Sequence, residues 1–399
     1  MKKMKRAIVH MDLDTFFVSC ERLNNSQLEG IPLIIGGGDR GVVASCSYEA
    51  RRFGVRSAMP TAMALKLCPQ AKVIKGDMER YSQLSHTVTE VIQEKSPITE
   101  KASIDEFYLD ITGMDRFYGC YQWTNELAQR VVKETGLPIS FALSINKTVS
   151  KIGTGEGKPK GHLDIPEDQV RAFLNPLSIQ KIPMVGDVTF QTLSRIGIRT
   201  IQTLSEMPAE VLQRMIGKNG IEIWKKANGI DNNPVEPYTE RKSIATEHTF
   251  VQDTIDMAHL KAILCGMVEK LAFQLRSEEW LTSTVVVKIR YANFDTETKQ
   301  CKIAYTSADH LLTQKVLGLF EVLYQRRMRL RLVGVRFNGL VRGTYQIDLF
   351  EDTQEMLSLY AAMDKMKSRY GFDAVMRCAG AALKPNTKDV ILKRNHSEL

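Results

Sequence analysis

Residues 102–111 read ASIDEFYLDI. Asp105 and Glu106 stand side by side between an apolar lead-in and an apolar follow-on, which predicts a strand running into a core. Acids are seldom fully buried unless paired or bound to a metal. Neighbours on a regular strand point to opposite faces, so these two can share a site only where the chain turns or bulges, as at a hairpin end. Acids clustered in an apolar frame are a usual way to hold Mg²⁺, a hard cation that wants oxygen ligands. The stretch VHMDLDTFF supplies Asp12 at the end of another expected strand. Three carboxylates on two strand ends can hold two Mg²⁺ ions, an arrangement that suits phosphoryl transfer. Taken alone, the pair reads more simply as a solvated strand end, because acidic pairs are common.

The chain has 399 residues, 43% of them hydrophobic, enough for several domains. Its formal net charge of +8 is compatible with nucleic-acid binding and is weak evidence by itself. Residues 243–345 carry fourteen Lys/Arg against ten Asp/Glu, whereas 346–399 carry eight of each, so the last stretch is not expected to be a basic DNA arm. No apolar run is long enough to span a membrane. Asp12 and Asp14 interrupt the segment that an export signal would need to keep apolar. Seven scattered cysteines without a C-x-x-C pair point to a reduced, cytoplasmic protein with no structural zinc.

Mixed strands and helices are expected over residues 1–165. RAIVHMDLD, PLIIGG, GVVASCSY, ASIDEFYLDI and PISFALSI read as strands, while RYSQLSHTVTEVIQEKS and YQWTNELAQRVVKETG have helical spacing. Residues 166–230 show short helices only. DNNPVEPYTERK reads as a linker, and two helices alternate with strands over 243–345. MLSLYAAMDKMKSRYG reads as one amphipathic helix.

Together, SYEARRFGVRSAMP, SIDEFYLDITG, HMDLDTFFVSCE, GKPKGH, IPMVGDVTFQTLSRIGI and RKSIATEHTF resemble the Y-family translesion DNA polymerases, over roughly residues 6–345 and in that family's order. The resemblance implies a multidomain α+β, right-hand polymerase: palm at 1–18 and 77–165, small fingers at 19–76, a helical thumb with a helix–hairpin–helix at 166–230, a linker at 231–242, an α+β little finger at 243–345, and a tail at 346–399. It implies Asp12, Asp105, Glu106 and the Leu13 carbonyl as ligands of two Mg²⁺ ions, with Asp105 and Glu106 catalytic. Phe17 falls at the family's steric gate, where an aromatic ring would clash with a ribonucleotide 2′-hydroxyl. Adjacent strand residues cannot both face a nucleotide, so one of Phe16 and Phe17 is expected in the core. Phe16, Phe17, Ser45, Tyr48, Arg51 and Lys158 are the expected nucleotide contacts; guanidinium and phenol donors suit phosphate oxygens.

Two departures stand out. Met184-Val185-Gly186 replaces the usual G-x-G hairpin, so Gly186 alone is carried over as a DNA-phosphate contact. IGTGEGKPKG replaces a more alanine-rich stretch and is read as a loop ahead of Lys158. Arg331 and Arg336 match a strand that lies along the template. They fall on opposite faces of a regular strand, so a bulge near Gly334 is expected if both bind. Gln346, Leu349 and Phe350 resemble the bacterial sliding-clamp peptide. The expected partners are primer–template DNA, dNTP and the sliding clamp, with no membrane, for a monomer that lacks a proofreading segment. The rival reading is a non-catalytic DNA- and clamp-binding protein with the same fold.

Overall fold

A computed structural model describes residues 6–38, 40–114, 119–237, 240–343 and 354–376. It divides into two compact units, Met1–Thr239 and Glu240–Leu399.

The first unit opens with β1 (Ile8–Leu13) and α1 (Phe16–Asn24), followed by β2 (Leu33–Gly36), β3 (Val43–Cys46), α2 (Tyr48–Arg51), α3 (Thr61–Leu67) and β4 (Lys72–Ile74). Then come α4 (Met78–Lys95), β5 (Thr99–Lys101), β6 (Glu106–Asp110), α5 (Cys120–Thr135), β7 (Ile139–Ser144), α6 (Lys147–Gly157) and β8 (His162–Asp164). A five-stranded sheet in the order β5-β6-β1-β7-β8 places β1 at its centre. Alternation along β1 explains why. Val9, Met11 and Leu13 are buried in one core with Tyr81 and Val88 of α4 and Leu127 and Val131 of α5. Ile8, His10 and Asp12 take the other face, where α6 packs and the Thr154 hydroxyl donates to the His10 carbonyl at 2.9 Å. A small second sheet, β3-β2-β4, has its own core. Helix α1 runs unbroken through the boundary expected between residues 18 and 19.

The stretch read as a loop ahead of Lys158 is helix α6. Asn146 caps it, its side chain accepting the Val149 N–H at 3.0 Å. The helix holds three glycines, of which Gly153 is required by what surrounds it. A Cβ on Gly153 would lie 2.6 Å from Ile165 and 2.8 Å from Ala142, so close packing on the sheet demands glycine there. Helix propensity alone misleads here, because tertiary contact outweighs it.

Short helices α7 (Val170–Leu174), α8 (Asp187–Ser194), α9 (Ile201–Ser205), α10 (Ala209–Ile216) and α11 (Lys218–Ala227) complete the unit around a core that includes Leu174, Leu193, Leu204 and Ile223. Met184, where the first hairpin glycine is missing, takes φ +87°, the left-handed region that glycine favours, and leaves its side chain exposed. The backbone thus keeps the turn. Gly186 follows as the residue capping α8, with open space around it.

The second unit contains β9 (Ser243–Thr254), α12 (Met257–Ser277), β10 (Trp280–Tyr291), β11 (Thr296–Thr306), α13 (Asp309–Leu323), β12 (Leu330–Arg342) and α14 (Gln354–Tyr370). Its sheet has the order β11-β10-β12-β9, with α12 and α13 on one face. The bulge expected near Gly334 lies at Arg331 instead. Tyr291 pairs with Leu330 and Arg290 with Leu332, so Arg331 is the extra residue. Leu330, Val333, Val335 and Phe337 belong to the core, which turns Arg331 to the outer face with Gly334 and Arg336. Arg331 and Arg336 therefore share a face for the reason anticipated, three residues earlier in the strand. Helix α14 docks on the helical layer: Lys367 pairs with Glu269 at 2.7 Å, and Arg276 pairs with Asp364 and Asp309, each at 2.6 Å. The Gln346, Leu349 and Phe350 motif lies outside the described residues.

Candidate active site

β1 and β6 pair antiparallel with Asp12 opposite Glu106. The hairpin ahead of β6 tightens at residues 102–105, where the Ala102 and Ser103 N–H groups both donate to the Glu106 carbonyl. Ser103 shapes the bend: its hydroxyl accepts the Asp105 and Glu106 N–H groups at 3.3 and 3.1 Å and donates to Asp105 Oδ1 at 2.6 Å. Leu13 N–H donates to the Asp105 carbonyl at 3.0 Å, extending the pairing past the strand. The acid pair thus stands at a turn, with a Glu106 oxygen within 4.8 Å of ligand atoms of Asp12 and His10, a group that Asp105 does not join.

A cleft of about 160 Å³ collects Asp12, Leu13, Phe16, Phe17, Ser45, Arg51, Asp105 and Lys158. Eight residues singled out from sequence thus meet in one place. Tyr48 lines an adjoining cavity of about 680 Å³, and its hydroxyl donates to Asp14 at 3.4 Å. The Arg51 guanidinium stacks 5.0 Å over the Tyr48 ring. Phe16 and Phe17 begin helix α1 and do not lie on a strand, so the opposite-faces rule does not apply to them. Phe16 is buried in the core, while Phe17 is half-buried and stacks on Tyr81 at 4.5 Å. Both residues line the cleft. Gly186 lies on the helical segment, and Arg331 and Arg336 lie in the second unit.

The carboxylates carry strong electrostatics. Burial pushes the Asp12 carboxyl up to about 7; the Lys158 ammonium, bound directly to it, pulls the other way, and Glu106 and Asp105 add to the rise. Lys151 of α6, which no sequence pattern singled out, bonds both Glu106 oxygens at 2.8 and 2.6 Å. His10 is a second residue absent from the expected set. It is fully buried, neither ring nitrogen has a partner, and burial together with Lys151 and Lys158 holds its pKa well below the usual histidine value. One ligand atom each from His10, Asp12 and Glu106 lies within 4.8 Å of the others. An unpaired neutral nitrogen beside two carboxylates is polarity without a protein partner, and it fits a hydrated cation held at this strand end. The oxygen donors suit a hard divalent ion. A period-2 pattern could have flagged His10, two residues before Asp12 on the same face; no local signal marks Lys151.

Part-buried carboxylates that could hold a cation, next to a cleft with a guanidinium and an ammonium, suit metal-assisted phosphoryl chemistry. Residues 11–155 match the impB/mucB/samB family and residues 241–349 match the C-terminal domain of that family. The chain belongs to the impB/mucB/samB family. The DNA polymerase IV of Dehalococcoides mccartyi (strain BAV1) is 36% identical over 375 residues, covering 93% of this chain and 96% of its own length. That of Listeria innocua is 36% identical over 339 residues, covering 84% and 95%. Among solved structures, a Y-family DNA polymerase chimera superposes with a TM-score of 0.76 at 24% identity, and DinB from Sulfolobus solfataricus with 0.60 at 24%. Each match covers 84% of this chain and 100% of the other. The fold is therefore the multidomain right-hand fold of the Y-family polymerases. Helix α14 lies beyond the span matched by the family's C-terminal domain.

Proposed function

We infer that this protein is a DNA-directed DNA polymerase of the translesion type, joining a dNTP to a primer 3′-hydroxyl with release of pyrophosphate. The observation that carries the reading is the convergence of Asp12, Asp105, Arg51, Lys158 and Phe17 on one cleft, in a chain with DNA polymerase IV relatives along most of its length. In this reading the palm spans 1–18 and 77–165, the fingers 19–76, the thumb 166–230 and the little finger 243–345. Asp12, Asp105, Glu106 and the Leu13 carbonyl would hold two Mg²⁺ ions. When bound, magnesium activates the attacking hydroxyl and offsets charge developing on phosphorus. Arg51 and Lys158 hold the triphosphate, and Ser45 borders it. Tyr48 has a single hydroxyl proton, so it must leave Asp14 before it can donate to a phosphate oxygen.

Primer extension with Mg²⁺ on intact and damaged templates tests the reading. Template-directed extension past a damaged base is expected, and failure to extend either template would overturn it. Adding the sliding clamp to the same assay tests Gln346, Leu349 and Phe350: stimulation should disappear in Leu349→Ala/Phe350→Ala while extension on bare primer persists.

Phe17→Ala should admit ribonucleotides. The ring is fixed by its stack on Tyr81, so it cannot swing aside for a 2′-hydroxyl. Discrimination against rNTP in steady-state kcat/KM should fall by about tenfold or more. Unchanged discrimination would move the gate to Phe16.

Arg331 and Arg336, brought to one face by the bulge, are assigned to template phosphates, and the hairpin at Gly186 to backbone contact. Arg336→Ala should weaken DNA binding on any sequence and lower the salt slope by about 1. An unchanged slope would remove Arg336 from the interface.

A further inference from the structure

Strand β1 ends in two acids, and only the first belongs to the carboxylate cluster. The second, Asp14, is 2% exposed and accepts from three directions. Ser140 Oγ lies 2.9 Å from both of its oxygens, the Lys160 backbone N–H donates at 2.7 Å, and the Tyr48 hydroxyl donates at 3.4 Å. Its own backbone is equally fixed: its N–H donates to the Pro138 carbonyl at 2.8 Å, and its carbonyl accepts from Ser19 Oγ at 2.7 Å. The Gly161 N–H ends on Ser140 Oγ at 3.2 Å. Two consecutive N–H groups of the Lys158–Gly161 turn therefore terminate on one buried Asp–Ser pair.

Two of the six described non-glycine residues with positive φ lie at the same place. Thr15 has φ +44° and Lys160 φ +52°, the left-handed region that side chains other than glycine's rarely adopt. Such conformations persist where the surroundings over-determine them. The Asp14 backbone and side chain fix both neighbours. Gly161 adds the remaining constraint, since a Cβ there would lie 1.8 Å from the Gly157 carbonyl oxygen.

We propose that Asp14, with Ser140, is a positioning residue for the triphosphate end of the site, holding the turn that aims Lys158 and resting the Tyr48 hydroxyl until nucleotide arrives. The proposal rests on the polymerase reading for the identity of its ligand. One strand end then holds Lys158 twice: Asp12 meets its ammonium directly, and Asp14 holds the backbone turn that carries it. Asp14 touches no reacting atom, so its loss should appear in nucleotide affinity and not in the chemical step.

The test is Asp14→Asn, which keeps the shape and turns one acceptor into a donor facing the Lys160 N–H or Ser140. KM for dNTP should rise by about tenfold or more with kcat within about threefold, and Lys158→Ala should raise KM comparably. The double variant should be no worse than the worse single one, because both act through the same ammonium. A fall in kcat at unchanged KM, or fully additive effects, would overturn the proposal. If Asp14→Asn does not fold, Ser140→Ala decides: it retains the carboxylate, removes one donor, and should raise KM in the same direction by a smaller factor, whereas unchanged KM would overturn the proposal. Direct titration of dNTP into the protein–DNA complex needs no turnover. A parent that binds dNTP without extending primers would sink the polymerase reading, while a weaker-binding Asp14→Asn would still uphold the positioning role.

Discussion

Asp105→Ala and Glu106→Ala are expected to abolish primer extension while DNA binding persists. Each removes a carboxylate from a strand end where Asp12 already stands opposite Glu106. Metal stabilisation of transition-state charge is worth several kcal/mol, so losing a ligand should slow the chemical step by about 10³-fold or more. The fold should tolerate both changes. Asp105 and Glu106 are part-exposed, and the bend is held by the Ser103 hydroxyl through backbone N–H groups that alanine retains. Glu106→Ala also frees Lys151, adding uncompensated positive charge next to the site; combining it with Lys151→Met removes that charge and separates the effect from the loss of the ligand. Single-turnover extension, with DNA affinity measured in parallel, is the check. A near-normal rate in either variant would remove that residue from the metal set.

Lys367→Ala should strongly destabilise the second unit. The Lys367 and Glu269 side chains are 1% and 4% exposed and bonded at 2.7 Å. Removing the lysine leaves a buried carboxylate unpaired, at a cost of about 3–5 kcal/mol. The ammonium also lies 4.4 Å over the Phe372 ring, and alanine forfeits that cation–π attraction as well. Changing both partners, as Lys367→Met with Glu269→Leu, should recover most of the stability, because well-packed apolar pairs commonly replace buried ion pairs without penalty. Amide exchange of α12 and α14 reports on this unit separately from the first. Unchanged protection in Lys367→Ala would show that the Lys367–Glu269 pair contributes nothing to the unit's stability.

The strands that bear the acids were legible because alternation and a short apolar run are local signals. Asp12, Asp105 and Lys158 could be named from sequence, and the structure brings them into one cleft. Other features were not legible, each for a physical reason. Helix α6 carries three glycines that read as a loop, and only packing of Gly153 against Ile165 and Ala142 explains its helicity. Strand geometry is the wrong expectation for Phe16 and Phe17 because the left-handed turn at Thr15, which starts the helix, leaves no mark in residue type. Lys151 and Asp14 find partners 45 and 126 residues away, at Glu106 and Ser140, beyond any periodic pattern. The parity of Arg331 and Arg336 correctly implies a bulge, but parity does not say which residue is extra.

The central place of β1 also has a meaning for the ribosome. Asp12 and Lys158 are separated by 146 residues, and β1 pairs on one side with β6 and on the other with β7. At about 5–20 residues per second, roughly 7–30 s pass between synthesis of the first acid and of the lysine that neutralises it. Until β6 and then β7 are made, β1 is an apolar segment with both edges open, a condition prone to wrong pairing. Arg6 stands before it and Asp12 and Asp14 at its end, charges placed where they oppose such pairing. The charged residues at the end of β1 are thus also of the kind that guards an unpaired strand.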